Sequence, residues 1–194
     1  MESIECYILI SGGRSSRFGS DKAAIELDGA SLLRRHCNAI GDQVPIYVVG
    51  DESETLGANV HFLREEPAFG GPVSALDAAI NHLPISVKTV AVVAVDMPYA
   101  VKAVQVLDRN LLDNHDAVLP TDDEEFPQPL CALYQVAALR KALAALAPVA
   151  GKSMRSLIAQ LNCAHIRLGE SEQYLLVDID TPSDLEKVRD ARMD

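Results

Sequence analysis

The run Thr89-Val-Ala-Val-Val-Ala-Val95 carries no polar side chain after its first residue. A strand with one face in water alternates apolar and polar residues, whereas a strand apolar on both faces has to be covered on both. The run therefore reads as the central strand of a sheet packed between two layers of helix. Its surroundings agree. Short β-branched stretches fall at Cys6–Ser11, Ile46–Val49, Val60–Leu63, Asp116–Pro120 and Leu130–Tyr134, with shorter candidates at Ala164–Leu168 and Tyr174–Val177. Helical patterns alternate with them. Ser31 caps one that runs to about Ile40 before Gly41, and Gly71-Pro72 opens another that runs to about His82. Further helices are predicted between about Val101 and Leu112, over Val136–Leu146, after Ser153, and after Thr181-Pro182-Ser183-Asp184, which has the form of a capping box. Repeats, low-complexity tracts and linkers are absent from the sequence, so residues 1–194 read as a single α/β domain with a predominantly parallel sheet and helices on both faces.

In such sheets ligands gather beyond the carboxyl ends of the strands. The loop Gly12-Gly13-Arg-Ser-Ser-Arg17-Phe-Gly19-Ser-Asp21-Lys22 follows the first strand and so stands at that edge. Gly12 and Gly13 leave the backbone open to a ligand, and their amides suit phosphate or base atoms. Arg14, Arg17 and Lys22 bring positive charge, and Lys22 is the best placed to follow charge on a phosphate. The spacing fits neither the GxxxxGK[ST] phosphate loop nor GxGxxG. The plain alternative is a glycine turn with solvated basic residues. Asp96, just past the central run, would share the same edge, either as an oxygen ligand for a hard cation or as a cap before Pro98. In Asp178-Ile-Asp180-Thr-Pro182, alternation in an extended segment would put Asp178 and Asp180 on one face, where either could share that cation.

The apolar share of 48% suffices for a packed core, and the net charge of −11 argues against a general nucleic-acid binder. An acidic chain that takes an anionic nucleotide needs a local positive site or a metal. The cysteines, Cys6, Cys37, Cys131 and Cys163, make no CxxC pair and read as buried reduced thiols. Neither a signal-peptide pattern nor a run of membrane-spanning length is visible, so the expectation is a cytoplasmic protein without membrane or nucleic-acid partners. Its oligomeric state stays open between a monomer and a weak homo-oligomer.

The glycine loop resembles the LAGGxSxRMGxDK signature of the MobA-like nucleotidyltransferases, with Ile10-Ser11 in place of two of its residues and Phe18 for the methionine. Gly70-Gly-Pro-Val-Ser-Ala-Leu76 resembles the GPLAG segment of that family, Val95-Asp-Met-Pro98 its metal-binding CDxP motif, and Asp178-Ile-Asp-Thr-Pro182 its NxNTP/DxDTP motif. The order and spacing run over nearly the whole chain. The resemblance implies a Rossmann-like three-layer nucleotidyltransferase fold. It also implies Mg²⁺-dependent transfer of a nucleoside monophosphate to a phosphorylated acceptor, with release of pyrophosphate. In the guanylyl branch the nucleotide is GTP and the acceptor molybdopterin. Carried over by position, Ile10, Ser11, Gly12 and Gly13 line the nucleotide, Lys22 and Arg17 serve the phosphates, Asp96 holds Mg²⁺ with Asp178 and Asp180 beside it, and Glu65 supplies a further acidic contact to the nucleotide.

Departures bear on the substrate. Aspartates stand at 178 and 180 where the guanylyl form has asparagines, a pattern that also resembles the cytidylyl branch. Gly12-Gly13 and Gly71-Pro72 favour GTP. Three readings follow: guanylyl transfer to molybdopterin, cytidylyl or other nucleotidyl transfer to another phosphorylated acceptor, and a nucleotide-binding regulator without catalysis. An acceptor phosphate is already ionised, which suits the lack of a histidine base beside these motifs. The acidic stretch Thr121–Pro127 is expected to be a mobile loop. Gln128 is a candidate for the acceptor side, and Gly151-Lys-Ser-Met-Arg155 is a second basic cluster.

Overall fold

The computed structural model of the protein describes residues 4–11, 25–52, 54–107 and 109–190. Strands β1 (Cys6–Ile10), β4 (Ile46–Val49), β5 (Val60–Leu63), β6 (Thr89–Ala94), β7 (Ala117–Thr121), β8 (Cys131–Gln135) and β9 (Cys163–Arg167) form one sheet in the order β5-β4-β1-β6-β8-β7-β9. All pair in parallel except β8, which is antiparallel to both β6 and β7. The short pair β2 (Glu26–Leu27) and β3 (Ala30–Ser31) makes a separate hairpin.

Every residue of β6 is buried, as its unbroken apolar run requires. Ala91 and Val93 face the layer of α1 (Leu32–Ile40) and α3 (Ala100–Val106), while Val90 and Val92 face α2 (Pro72–His82), α4 (Val136–Leu146) and α5 (Met154–Ile158). The same alternation splits β1, with Tyr7 and Leu9 on one side and Cys6, Ile8 and Ile10 on the other. The result is a three-layer Rossmann-like α/β architecture. Local chemistry sets the helix starts. The Ser31 hydroxyl accepts from Arg34 N at 3.0 Å, and Gly41, at φ 86°, ends α1 in a conformation that costs an L side chain. At the last helix, α6 (Pro182–Asp190), Thr181 Oγ1 accepts from Asp184 N at 3.3 Å and Asp184 Oδ2 accepts from Thr181 N at 2.9 Å, a reciprocal capping box.

The structure departs from the sequence reading in three places. Tyr174–Val177 is not a strand. Glu170–Leu176 forms a 3₁₀ turn in which Leu175 and Leu176 are both buried on the same side of the sheet, whereas a strand would send neighbouring side chains to opposite faces. The predicted helix from 101 to 112 is broken: α3 stops when the backbone of Leu107 becomes extended, and a 3₁₀ turn takes over at Arg109–Asp113. The segment 121–128 is a built turn rather than an open loop. Asp122 Oδ1 accepts from Glu124 N and Phe126 N at 3.0 and 2.9 Å, Asp122 Oδ2 accepts from Gln128 Nε2 at 2.8 Å, and Thr121 bridges Pro127.

Candidate active site

β1 and β6 end together. Val95 N donates to Ile10 O at 3.0 Å, which draws the turn after β6 against the end of β1. Ser11 is tied to the other neighbour, since both its amide and its hydroxyl donate to Val49 O, at 3.0 and 3.2 Å. The carbonyl of Ile10 and the amide of Ser11 thus serve the sheet. A nucleotide at this edge would meet the carbonyl of Ser11 and the loop that follows. Gly12, Gly13, Arg14, Arg17 and Lys22 lie outside the described residues.

Asp96 is half-buried in the turn that follows β6. Its carbonyl accepts from Ile179 N at 2.9 Å. Ile179 is fully buried between Asp178, which is exposed, and Asp180, which is half-buried. That is the alternation expected of an extended segment, and it puts both aspartates on the side away from the core. The two acidic motifs are therefore laced together by the backbone at the carboxyl end of the central strand. Among the described residues no three His, Cys, Asp or Glu side chains converge as an ion-binding group, so Asp96, Asp178 and Asp180 do not form a three-carboxylate cage. One or two carboxylates with water and substrate phosphates is the set that Mg²⁺ prefers, and the donors present fit it.

Glu65 stands apart from these aspartates, on the loop between β5 and α2. Its carboxylate accepts from the amides of Phe69, Gly70 and Gly71, just before α2 begins. Burial raises its pKa above the ordinary value, and the three amides pull against that shift. Its Oε2 is buried with no hydrogen-bond partner. The turn it holds is tight. Phe69 has φ 62°, and a Cβ on Gly70 would come within 2.6 Å of Ser74 Oγ. Gly70 O accepts from Gly151 N at 2.7 Å, so the Gly151–Arg155 cluster adjoins this loop, where Ser153 caps α5. Gln128 sits in the turn after β7, which runs parallel to β6, and so at the same sheet edge as Asp96. Sequence reasoning passed over His36, which touches the turn of Asp96. The signal was its place on the buried face of α1, with Leu32, Leu33 and Cys37.

The family model of the MobA-like NTP transferase domain matches residues 7–166. A probable molybdenum cofactor guanylyltransferase of Natronomonas pharaonis is 29% identical, over 94% of this chain and 96% of its own. A molybdenum cofactor guanylyltransferase of Xanthomonas euvesicatoria is 31% identical, over 90% of this chain and 89% of its own. The crystal structure of molybdopterin-guanine dinucleotide biosynthesis protein A from Archaeoglobus fulgidus superposes with a TM-score of 0.75 over 96% of this chain and 98% of that one. At 20% identity it speaks for the fold alone.

Proposed function

The chain belongs to the family of the MobA-like NTP transferase domain, and on that premise we propose that it moves GMP from GTP to the phosphate of molybdopterin, acting as one domain over residues 1–194. The names of its relatives support the substrates. The observation that carries the proposal is the bond from Ile179 N to Asp96 O, which brings two acidic motifs to one point at the carboxyl edge of the sheet.

In the reaction an acceptor phosphate oxygen bonds to the α-phosphorus of GTP. The bond from that phosphorus to the β-phosphate oxygen breaks, and pyrophosphate leaves with the electron pair. Both partners are anions, so the protein's task is to hold them in line and offset their repulsion. Mg²⁺, held by Asp96 and one of Asp178 and Asp180, supplies positive charge there when bound. Lys22 and Arg17 neutralise the charge on the departing pyrophosphate, while the amides of Gly12 and Gly13 and the carbonyl of Ser11 orient the nucleotide. The unpartnered Oε2 of Glu65 is an acceptor for a hydroxyl or amine of the nucleotide. The free thiols Cys6, Cys37, Cys131 and Cys163 suit a reducing compartment, and the reaction belongs in the cytoplasm. No helix among the described residues is long and apolar enough to cross a membrane.

The test is incubation with α-labelled GTP, Mg²⁺ and molybdopterin. The expected result is labelled dinucleotide and pyrophosphate in equal amounts. A second reading, cytidylyl transfer, draws on Asp178 and Asp180. Product from CTP and none from GTP would replace the first reading with it, and no product from any nucleotide would leave the binding-only reading.

A further inference from the structure

His36 is 1% exposed, and its Nε2 lies 3.1 Å from the carbonyl oxygen of Val95, the residue immediately before Asp96. A carbonyl can only accept, so Nε2 carries the proton and donates. The other ring nitrogen, Nδ1, is buried with no partner, as a bare lone pair can be but a second N–H could not be without large cost. Burial pushes the imidazole pKa down to about 4, so the ring is neutral, in keeping with that tautomer.

The bond closes a ring of contacts around one turn. Val95 N donates to Ile10 O at 3.0 Å, Met97 N to Ala94 O at 3.2 Å, and Ile179 N to Asp96 O at 2.9 Å. Those three are backbone groups that any sequence would supply. The contact from His36 is made by a side chain, reaching from α1 on the layer beneath the sheet. An apolar residue at 36 would fill the space and leave Val95 O short of a donor beside Asp96. Packing alone does not ask for a histidine there.

We infer that His36 is a positioning residue for the metal-binding carboxylate: its Nε2–H fixes Val95 O and thereby the direction in which Asp96 leaves the sheet. The inference rests on the reading of Asp96 as the Mg²⁺ ligand. It concerns orientation and needs no change of charge on the ring.

The test measures Mn²⁺ binding to the protein with GTP by electron paramagnetic resonance, with metal-free GTP affinity and the melting midpoint beside it. His36→Leu keeps the volume and removes the donor, and His36→Gln returns a donor at the position of Nε2. His36→Leu is expected to weaken Mn²⁺ binding about tenfold, the scale for groups that orient metal ligands. Metal-free GTP affinity is expected to stay within about twofold, and His36→Gln to recover most of the loss. A folded His36→Leu that binds Mn²⁺ as the wild type does, or a Gln variant no better than Leu, overturns the inference. If His36→Leu does not fold, the ¹H–¹⁵N spectrum of wild-type imidazole decides. A protected Nε2–H whose resonance moves on adding Mg²⁺ and GTP supports the role, and its absence or indifference removes it. Asp96→Asn is the control: if it binds Mn²⁺ with GTP normally, the fault lies with the metal reading of Asp96 rather than with the bond from His36.

Discussion

The amide of Ile179 donates to the carbonyl of Asp96 at 2.9 Å, joining residues from opposite halves of the chain. Ile179 anchors this contact, with its side chain fully buried in the α1/α3 layer. The strand after which Asp96 stands is buried along its whole length, so one side of the pairing is rigid. The other side is a short extended segment between a 3₁₀ turn and a capped helix. This arrangement delivers carboxylates to the sheet edge while the apolar residues between them hold the backbone in place.

Asp96→Asn is expected to lower kcat about 10²- to 10³-fold, the scale seen when one preorganised charge-stabilising group is lost. The amide keeps the shape, and the carbonyl of Asp96 still accepts from Ile179. The melting midpoint should stay near that of the wild type. Transfer assays and a thermal melt on the same preparation check both points, and full turnover in the folded variant would remove Asp96 from the mechanism.

Asp178→Asn and Asp180→Asn separate the two candidates for sharing the ion. Asp180 is the less exposed, so less hydration is given up when it turns to a cation. Asp180→Asn is expected to raise the Mg²⁺ concentration for half-maximal activity about tenfold, and Asp178→Asn to raise it less. The reverse ranking in a Mg²⁺ titration assigns the ion to Asp178.

Glu65→Gln trades stability against binding. Burial holds the folded pKa of Glu65 above its ordinary 4.5, so between 4.5 and the folded value the native state retains a proton that the unfolded state has lost. Stability therefore falls as pH rises through that window, and glutamine removes this dependence. The melting midpoint of Glu65→Gln minus that of the wild type should increase from about pH 4 to about pH 7. The same variant should bind GTP about tenfold more weakly, because a buried acceptor oxygen becomes an amide NH₂ that can only donate. A flat difference in midpoint contradicts the first expectation, and calorimetry with GTP tests the second.

Much of this architecture is legible in the residues. The apolar run at Thr89, the proline after Gly71 and the cap at Ser31 each act locally, and the elements they mark form where expected. Asp96 could be assigned to the edge because it follows the central run, alternation put Asp178 and Asp180 on one face, and the family resemblance linked the two motifs. What failed needed partners from elsewhere. Leu175 and Leu176 read as β-like until the α3 layer offers both of them burial. The reversal of β8 was within reach, since the short connection from β7 carries no helix for a parallel crossover. His36 looks like any core histidine, and its contact with Val95 appears only once α1 is docked.

The turn after β7 offers a way to separate the two substrates. Asp122 holds it through three acceptor contacts, the last of them to Gln128 Nε2. With that nitrogen engaged, the carbonyl oxygen of the Gln128 side chain is the atom that would accept from a donor on the acceptor substrate. Asp122→Ala removes all three contacts at once. The turn is largely exposed, so the melting midpoint should change little, while amide exchange at Phe126 should quicken. Of the three, only the bond to Gln128 Nε2 aims a group at the acceptor, and at about 0.5–1.5 kcal/mol its loss is expected to raise KM for the acceptor roughly two- to tenfold. KM for GTP should not move, because the nucleotide contacts proposed above lie at the β1 edge and the loop of Glu65. Steady-state kinetics with each substrate varied in turn decide the matter: a rise confined to the acceptor assigns Gln128 to its site, and an equal rise for both would mean that this turn supports the whole edge instead.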